Sequence, residues 1–314
     1  MKKIVFTLLL TLFAVVIRAQ ESQTEYNFLR LPVSAHAAAL GGENITIIED
    51  DPSLMFSNPA LASSVSDKTV GLSYMNYMRG AHYMGASYTK ALGEKATLAG
   101  GVRYMNYGKM KEVDANNVQT GTFNASEIAV EGIFSYELAR NLVGGITAKF
   151  ITSYIGNYNS MAVGVDLGLN WFEPERQWSV SLVAKNLGGQ IKAYEEEYGK
   201  MPIDVQVGVS KTFAALPVRV SATLVDLTHY DYRFINHLNL GAEVLLSESI
   251  WVGGGYNFRK ADEMTIGKAD NASAHGAGFS VGAGINLEQF KLNLAYGKYH
   301  AASNSILVNL AYSF

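Results

Sequence analysis

The side chains of this 314-residue chain that could do chemistry are few and dispersed. Six histidines, His36, His82, His229, His237, His275 and His300, are candidate general bases for a serine nucleophile. Several fall where links or strand ends are expected. No strand-to-helix elbow of the Gly-x-Ser-x-Gly kind is expected beside them, so they are read as solvated or interfacial rings. The run Glu49-Asp50-Asp51 could attract a cation, but it lacks the spaced oxygen ligands of a calcium loop, and Asp51 serves better as a helix cap. Glu195-Glu196-Glu197 reads as a solvated loop tip. With no cysteine in the chain, disulfides, thiolate nucleophiles, Cys-ligated metals and a lipidated cysteine are all excluded. No catalytic residue, metal or cofactor is therefore expected, and the chain is read as a non-enzyme.

What must position the remaining residues is a set of long strands. Lys2 and Lys3, the apolar stretch from Ile4 to Ile17 and the Ala19-Gln20 junction form a cleavable export signal over residues 1–19. The apolar stretch is too short for a transmembrane anchor, which needs about 20 residues. Removing Lys2, Lys3 and Arg18 takes the 25 basic residues to 22 against 28 acidic ones, which excludes nucleic acid as a partner. From Thr69 onward, large apolar residues alternate with small or polar ones. Met161, Val163, Val165, Leu167, Leu169 and Trp171 share one face, with Ser160, Ala162, Gly164, Asp166, Gly168 and Asn170 on the other. About fourteen such segments of roughly 10 to 18 residues fill 69–314, long enough to cross a bilayer at a tilt. The links after the even-numbered segments are short, while long ones stand at 109–120, 189–201 and 261–274. This parity predicts an all-β fold: a 14-stranded antiparallel transmembrane β-barrel in the cell outer membrane, with turns and both chain termini in the periplasm and long loops outside. Tyr74, Tyr77, Tyr83, Tyr88, Tyr104 and Tyr107 are expected to supply part of the aromatic girdles.

If the large apolar residues face lipid, the opposite face places Arg103, Lys149, Lys185 and Arg219 in the lumen with Glu127, Glu131, Asp166 and Glu243. Four positive and four negative charges suit ion pairing inside a filled barrel better than a selective pore. The filling is expected from residues 20–68, a hatch of short helices. Ala38-Ala39-Leu40-Gly41-Gly42 ends one helix on glycine. Asp50-Asp51-Pro52-Ser53 starts another, which Asn58-Pro59-Ala60 stops. The last segment carries Ile306, Val308, Leu310, Tyr312 and Phe314 on one face, and Tyr312 and Phe314 are similar to the terminal signal read by the barrel-assembly machinery.

The hatch motifs at 38–42, 50–53 and 58–60 resemble those of the long-chain fatty-acid transporter superfamily. They are most similar to the type IX secretion barrels of the PorV/PorQ family from Bacteroidetes, and the modest length resembles PorQ more than PorV. The resemblance implies a plugged fourteen-stranded barrel that anchors a PorZ-like surface partner of an attachment complex that also holds PorU and PorV. In the resemblance His36 stands where relatives often carry Arg, which leaves the charge role of that hatch position open. The wider superfamily implies an alternative, uptake of a hydrophobic solute, with a lateral opening expected at Gly253-Gly254-Gly255. The partners expected are outer-membrane lipid, components of type IX secretion and, during biogenesis, the assembly machinery.

Overall fold

The computed structural model describes residues 24–78, 80–213, 215–264, 276–300 and 303–314. The expected export signal, His275 and most of the 261–274 link lie outside them. Fourteen antiparallel strands close into one barrel in chain order, with β1 sealed to β14. Thr69–Met78, Ala81–Leu92 and Ala96–Val113 are β1 to β3, and Gln119–Ala139, Leu142–Ile155 and Tyr158–Glu173 are β4 to β6. Trp178–Lys192, Asp204–Phe213, Val218–Leu224 and Leu238–Leu245 are β7 to β10. Ile250–Asn257, Phe279–Asn286, Phe290–His300 and Ser303–Ser313 complete β11 to β14. No helix among the described residues is long and apolar enough to cross a membrane. Each strand alternates an outward apolar side chain with a buried small or polar one, as in β6, where Val163, Leu167, Leu169 and Trp171 face out while Ala162, Asp166 and Asn170 are buried. Period-two alternation thus builds a wall that is apolar outside and polar inside.

The wall is uneven in height. β3 and β4 run 18 and 21 residues, whereas β9 to β12 run only seven or eight. The expected loop at 109–120 is accordingly corrected to a strand hairpin whose turn, 114–118, is closed by Asp114 accepting from the amides of Asn116 and Val118. On the short side the expected strand at 249–260 ends at Asn257. Its side chain accepts from the Lys260 amide and caps a helix, Phe258–Glu263. The expected strand at 217–229 ends at Leu224. The chain turns there through Asp226, whose φ of 56° breaks the ladder.

The segment before β1 fills the barrel. Ser34 caps the helix Ala35–Ala39 (α1) by accepting from the Ala37 amide. Gly41 and Gly42, both at positive φ, end it with Gly42 N–H donating to the Ala37 carbonyl at 3.1 Å, a geometry open to glycine and costly for other residues. Asp51 caps the 3-10 turn Pro52–Phe56. Asn58-Pro59, expected as a stop, follows the end of that turn at Phe56 and also caps and opens a further 3-10 turn, Pro59–Ser64. Their buried core includes Phe28, Leu40, Ile45, Leu54 and Leu61, each contributing on the order of 1.5–3 kcal/mol of hydrophobic stabilisation.

The path of this segment corrects one expectation. Thr24 bridges Lys200 in the link between β7 and β8, whereas Phe314 donates to the Lys68 carbonyl beside the start of β1. The first described residue therefore lies at the rim with the long hairpins, and the C-terminus at the rim with the short turns. The two do not share a side, because residues 24–66 traverse the lumen from end to end.

Candidate functional site

The hatch is tied to the wall by buried charges, and the densest group surrounds His36 on α1. Its ring stacks on Trp251 of β11, with centroids 3.7 Å apart and planes within 6°. Its Nε2 lies 2.6 Å from Glu243 Oε2 and its Nδ1 3.1 Å from Glu49 Oε2. Arg219 of β9 bridges the same two carboxylates. Strand register explains the grouping, since Glu243 pairs directly with Arg219 on one side and with Gly253 on the other. Burial opposes a charge on His36, but Glu49 and Glu243 outweigh it and push the imidazole up to about 9. The Glu49 carboxyl is desolvated too, yet His36 and Arg219 hold it well below the usual carboxylate range. The His36 ring therefore carries charge, because two acids face it.

His36, Glu49 and Glu243 bring ligand atoms within 4.8 Å of one another, so a metal is worth testing against them. The donor set does not fit one. Coordination needs a neutral imidazole lone pair, whereas this imidazole is held protonated between two carboxylates, and Arg219 already occupies their remaining oxygens. The cluster is two anions balanced by two cations, an arrangement that fixes the hatch to the wall.

The other motif residues extend this attachment. Trp251 Nε1 donates to Asn293 at 3.0 Å, and Asn293 Nδ2 donates to Asp51 at 3.2 Å. Burial raises the Asp51 carboxyl, with the hydrogen bonds from Ser53 opposing that. Asp50 pairs with Lys291 at 2.5 Å and accepts from the Ser66 amide at 2.7 Å. Asn58 accepts from the Ala60 amide and donates to the Ile45 carbonyl at 3.1 Å. Asn309 of β14 donates to the Val33 carbonyl at 2.8 Å. Ala39 packs on Gly282, Leu40 on Gly241 and Gly255, Pro52 on Gly71, and Pro59 on Gly145 and Gly168, so glycines in the wall let the hatch backbone approach.

All eight expected lumen charges are inward. Arg103 pairs with Glu131, and its Nη1 donates to the Leu29 carbonyl at 3.2 Å. Lys149 and Asp166 are 2.6 Å apart and share Asn186, which a bulge in β7 turns inward at a φ of 58°. Lys185 reaches Glu43 of the hatch at 3.7 Å, and Glu127 accepts from the Tyr107 hydroxyl at 2.5 Å. At the mouth, Asp226 gathers Arg30 of the hatch at 3.0 Å, His229 at 2.6 Å, and Arg259. Burial raises its carboxyl, and Arg30 and Arg259, with the hydrogen bond to His229, more than reverse that.

Glu43, Glu49, Arg30, Asp226, Arg259 and Trp251 were not singled out as lumen partners. Glu49 opens the acidic run read as a possible cation site, but nothing in the spacing of the others assigns them a face. Of the six tyrosines, Tyr74 and Tyr88 face outward while Tyr83 is buried. Tyr312 faces outward, edge-on to Phe314 at 5.0 Å. The Gly-x-Ser-x-Gly spacing, not expected, does occur at Gly278-Phe279-Ser280-Val281-Gly282. No elbow forms, because Ser280 sits in β12 and its hydroxyl donates to the Ala39 carbonyl at 2.8 Å while accepting from the Gly41 amide at 2.9 Å. The lateral opening expected at Gly253–Gly255 is also absent, since those residues pair without a register break to both β10 and β12.

A closed fourteen-stranded wall with a hatch latched inside defines the class: an outer-membrane β-barrel of the fatty-acid transporter fold. In that fold the chain is similar to the toluene transporter TodX of Pseudomonas putida (TM-score 0.55, 12% identity, 90% of this chain and 96% of that one). It is similar to a FadL homologue of Pseudomonas aeruginosa (0.55, 10%, 90% and 98%) and to the monoaromatic hydrocarbon channel CymD (0.55, 12%, 90% and 97%). No curated protein sequence matches the chain. Residues 53–306 match the family of type IX secretion system membrane proteins PorP/SprF, and the chain belongs to that family.

Proposed function

We propose that this barrel is a non-enzymatic scaffold of type IX secretion whose mouth anchors a surface partner, in the manner expected of a PorQ-like barrel holding a PorZ-like protein within the attachment complex. Membership of the secretion family supplies the setting. The filled lumen carries the rest, because a hatch held by the His36 cluster and by Asp226 occupies the barrel interior and braces the mouth as a platform. In this arrangement residues 20–68 act as a resident plug, the short turns face the periplasm with the C-terminus, and the tall β3–β4 hairpin and the Glu195–Glu197 tip present the docking surface. Affinity purification of the tagged barrel from gently solubilised membranes tests this. The expected result is co-recovery of a type IX surface component that is lost when residues 114–118 or 195–197 are replaced by a short Gly-Ser turn. Recovery of the barrel alone would sink it.

A second reading, uptake of a hydrophobic solute, is favoured by the fold shared with hydrocarbon channels. It requires an opening that the continuous pairing at Gly253–Gly255 does not provide. Unchanged hydrocarbon and lipid uptake in a deletion strain would remove it.

A further inference from the structure

The lipid-facing side of the short wall is not smooth. A groove of about 900 Å³ crosses it, and strand register gives its course. Trp178 pairs with Lys211, Lys211 with Val220, Val220 with Ala242, Ala242 with Gly254, and Gly254 with Val281. This single row crosses five strand spacings, roughly 24 Å at about 4.8 Å each. Trp178 opens β7 at the turn rim, while the far end lies near Phe279, where β12 begins at the mouth. The groove thus climbs obliquely across the wall. Its depth comes from Ala242 and Gly254, where the neighbouring outward positions carry Val220, Leu240, Tyr256 and Phe279.

One end is chemically unlike the rest. Among the described residues, Lys211 is the only charged one in the lining. Its ammonium lies 5.2 Å from the Trp178 ring centroid and gives one of its three donors to the Arg176 carbonyl. Arg176 itself is exposed at the same rim. A cation and a tryptophan at headgroup depth, followed by a long apolar channel, match an amphiphile with an anionic head. The height of the wall supplies a second reason. Strands of seven or eight residues fall short of the 9 to 11 that a tilted membrane strand needs, and a chain lying obliquely in the groove relieves that mismatch where an upright one cannot.

We infer that the outer face of β8 to β12 is a binding site for one phospholipid, its phosphate at Lys211 and its acyl chain laid along the groove over Ala242 and Gly254. The assignment to a phospholipid of the inner leaflet rests on the orientation given above, with the turns in the periplasm.

Native mass spectrometry of the full barrel, titrated with phosphatidylglycerol after delipidation, tests it. The expected result is one tightly held lipid per chain. Lys211→Glu should weaken retention about five- to tenfold, in line with about 1 kcal/mol per basic residue at a membrane surface. Ala242→Leu, which fills the groove from the lipid side, should abolish it. Val130→Leu, on the outer face of β4, should change nothing, and heat-modified gel mobility confirms that each variant is folded. Equal retention in Lys211→Glu and Ala242→Leu would overturn the site. Preferential retention of lipid A over phosphatidylglycerol would overturn the leaflet and the orientation with it. A discrete protein adduct from a photo-cross-linker at position 242 in cells would give this face to a partner instead.

Discussion

The cluster around His36 and the cluster around Asp226 hold the same hatch, but they are built from different cations and lie at different depths. In the first, a buried carboxylate, Glu243, and a half-buried one, Glu49, share an arginine of the wall and a histidine of the hatch, and the histidine is fully enclosed. In the second, one carboxylate of the wall draws in two arginines whose side chains are 21% and 15% exposed. A buried ion group is costly to break because the partner left behind keeps its charge without solvent, whereas a partly hydrated one relaxes into water. The inner cluster therefore governs whether the hatch stays in place, and the outer one governs how its leading end is held at the mouth.

The largest expected effect follows from removing one inner acid. Glu243→Ala leaves Arg219 and His36 facing Glu49 alone and should cost about 3–5 kcal/mol, measured as a fall in the urea midpoint of the folded barrel. Next comes pH. Because the folded imidazole titrates near 9 and a free one near 6.5, its contribution of about 3 kcal/mol is complete below about pH 6.5 and is lost as pH rises through 9. Glu49, whose pKa is lowered, contributes in the opposite sense, losing its share only on acidification below the usual carboxylate range. Hydrogen-exchange protection in residues 35–49, taken relative to the intrinsic base-catalysed rate at each pH, should therefore fall between pH 7 and 10. His36→Phe, which keeps a ring on Trp251 without the charge, should remove that fall. If protection is constant with pH in the parent, the two clusters do not differ in the way described.

The smaller effects belong to the mouth. Arg30→Ala should cost about 1 kcal/mol or less and raise protease sensitivity near residues 24–30 without shifting the urea midpoint. Raising salt from 0.1 to 1 M shortens the screening length from about 10 to about 3 Å, so it should loosen that same leading segment while leaving exchange around α1 unchanged. A uniform response of both regions would erase the comparison.

Much of the fold was legible because alternation is a direct image of a two-faced wall. All fourteen strands follow from it, and in the hatch Asp51-Pro52 marks a cap through chemistry local to three residues, whereas Asn58-Pro59 reads only as a stop and its capping of the next turn is missed. The errors lie where local pattern and global geometry part. Tyr256 and Phe258 continue the alternation, yet the chain leaves the sheet at Asn257 because its side chain caps a helix. The polar residues of 109–120 read as loop although two strands pair through most of them. Asn186 would face lipid by parity, and one bulge reverses it. The inward charges were legible as a set but their partners were not, since Lys185 meets Glu43 and Arg219 meets Glu49 only through the packing of hatch on wall.

The end-to-end course of residues 24–66 constrains how the molecule is made. A cylinder already sealed between β1 and β14 would have to be threaded by a segment that carries α1 and two buried turns past pairs such as Arg103 and Glu131. If the sheet instead wraps around that segment, the β1–β14 seam closes last, over contents that already present Asn309 of β14 with the Val33 carbonyl. The plug then acts as a mandrel for its own container, and a defect in its packing would register first as a failure of closure during biogenesis.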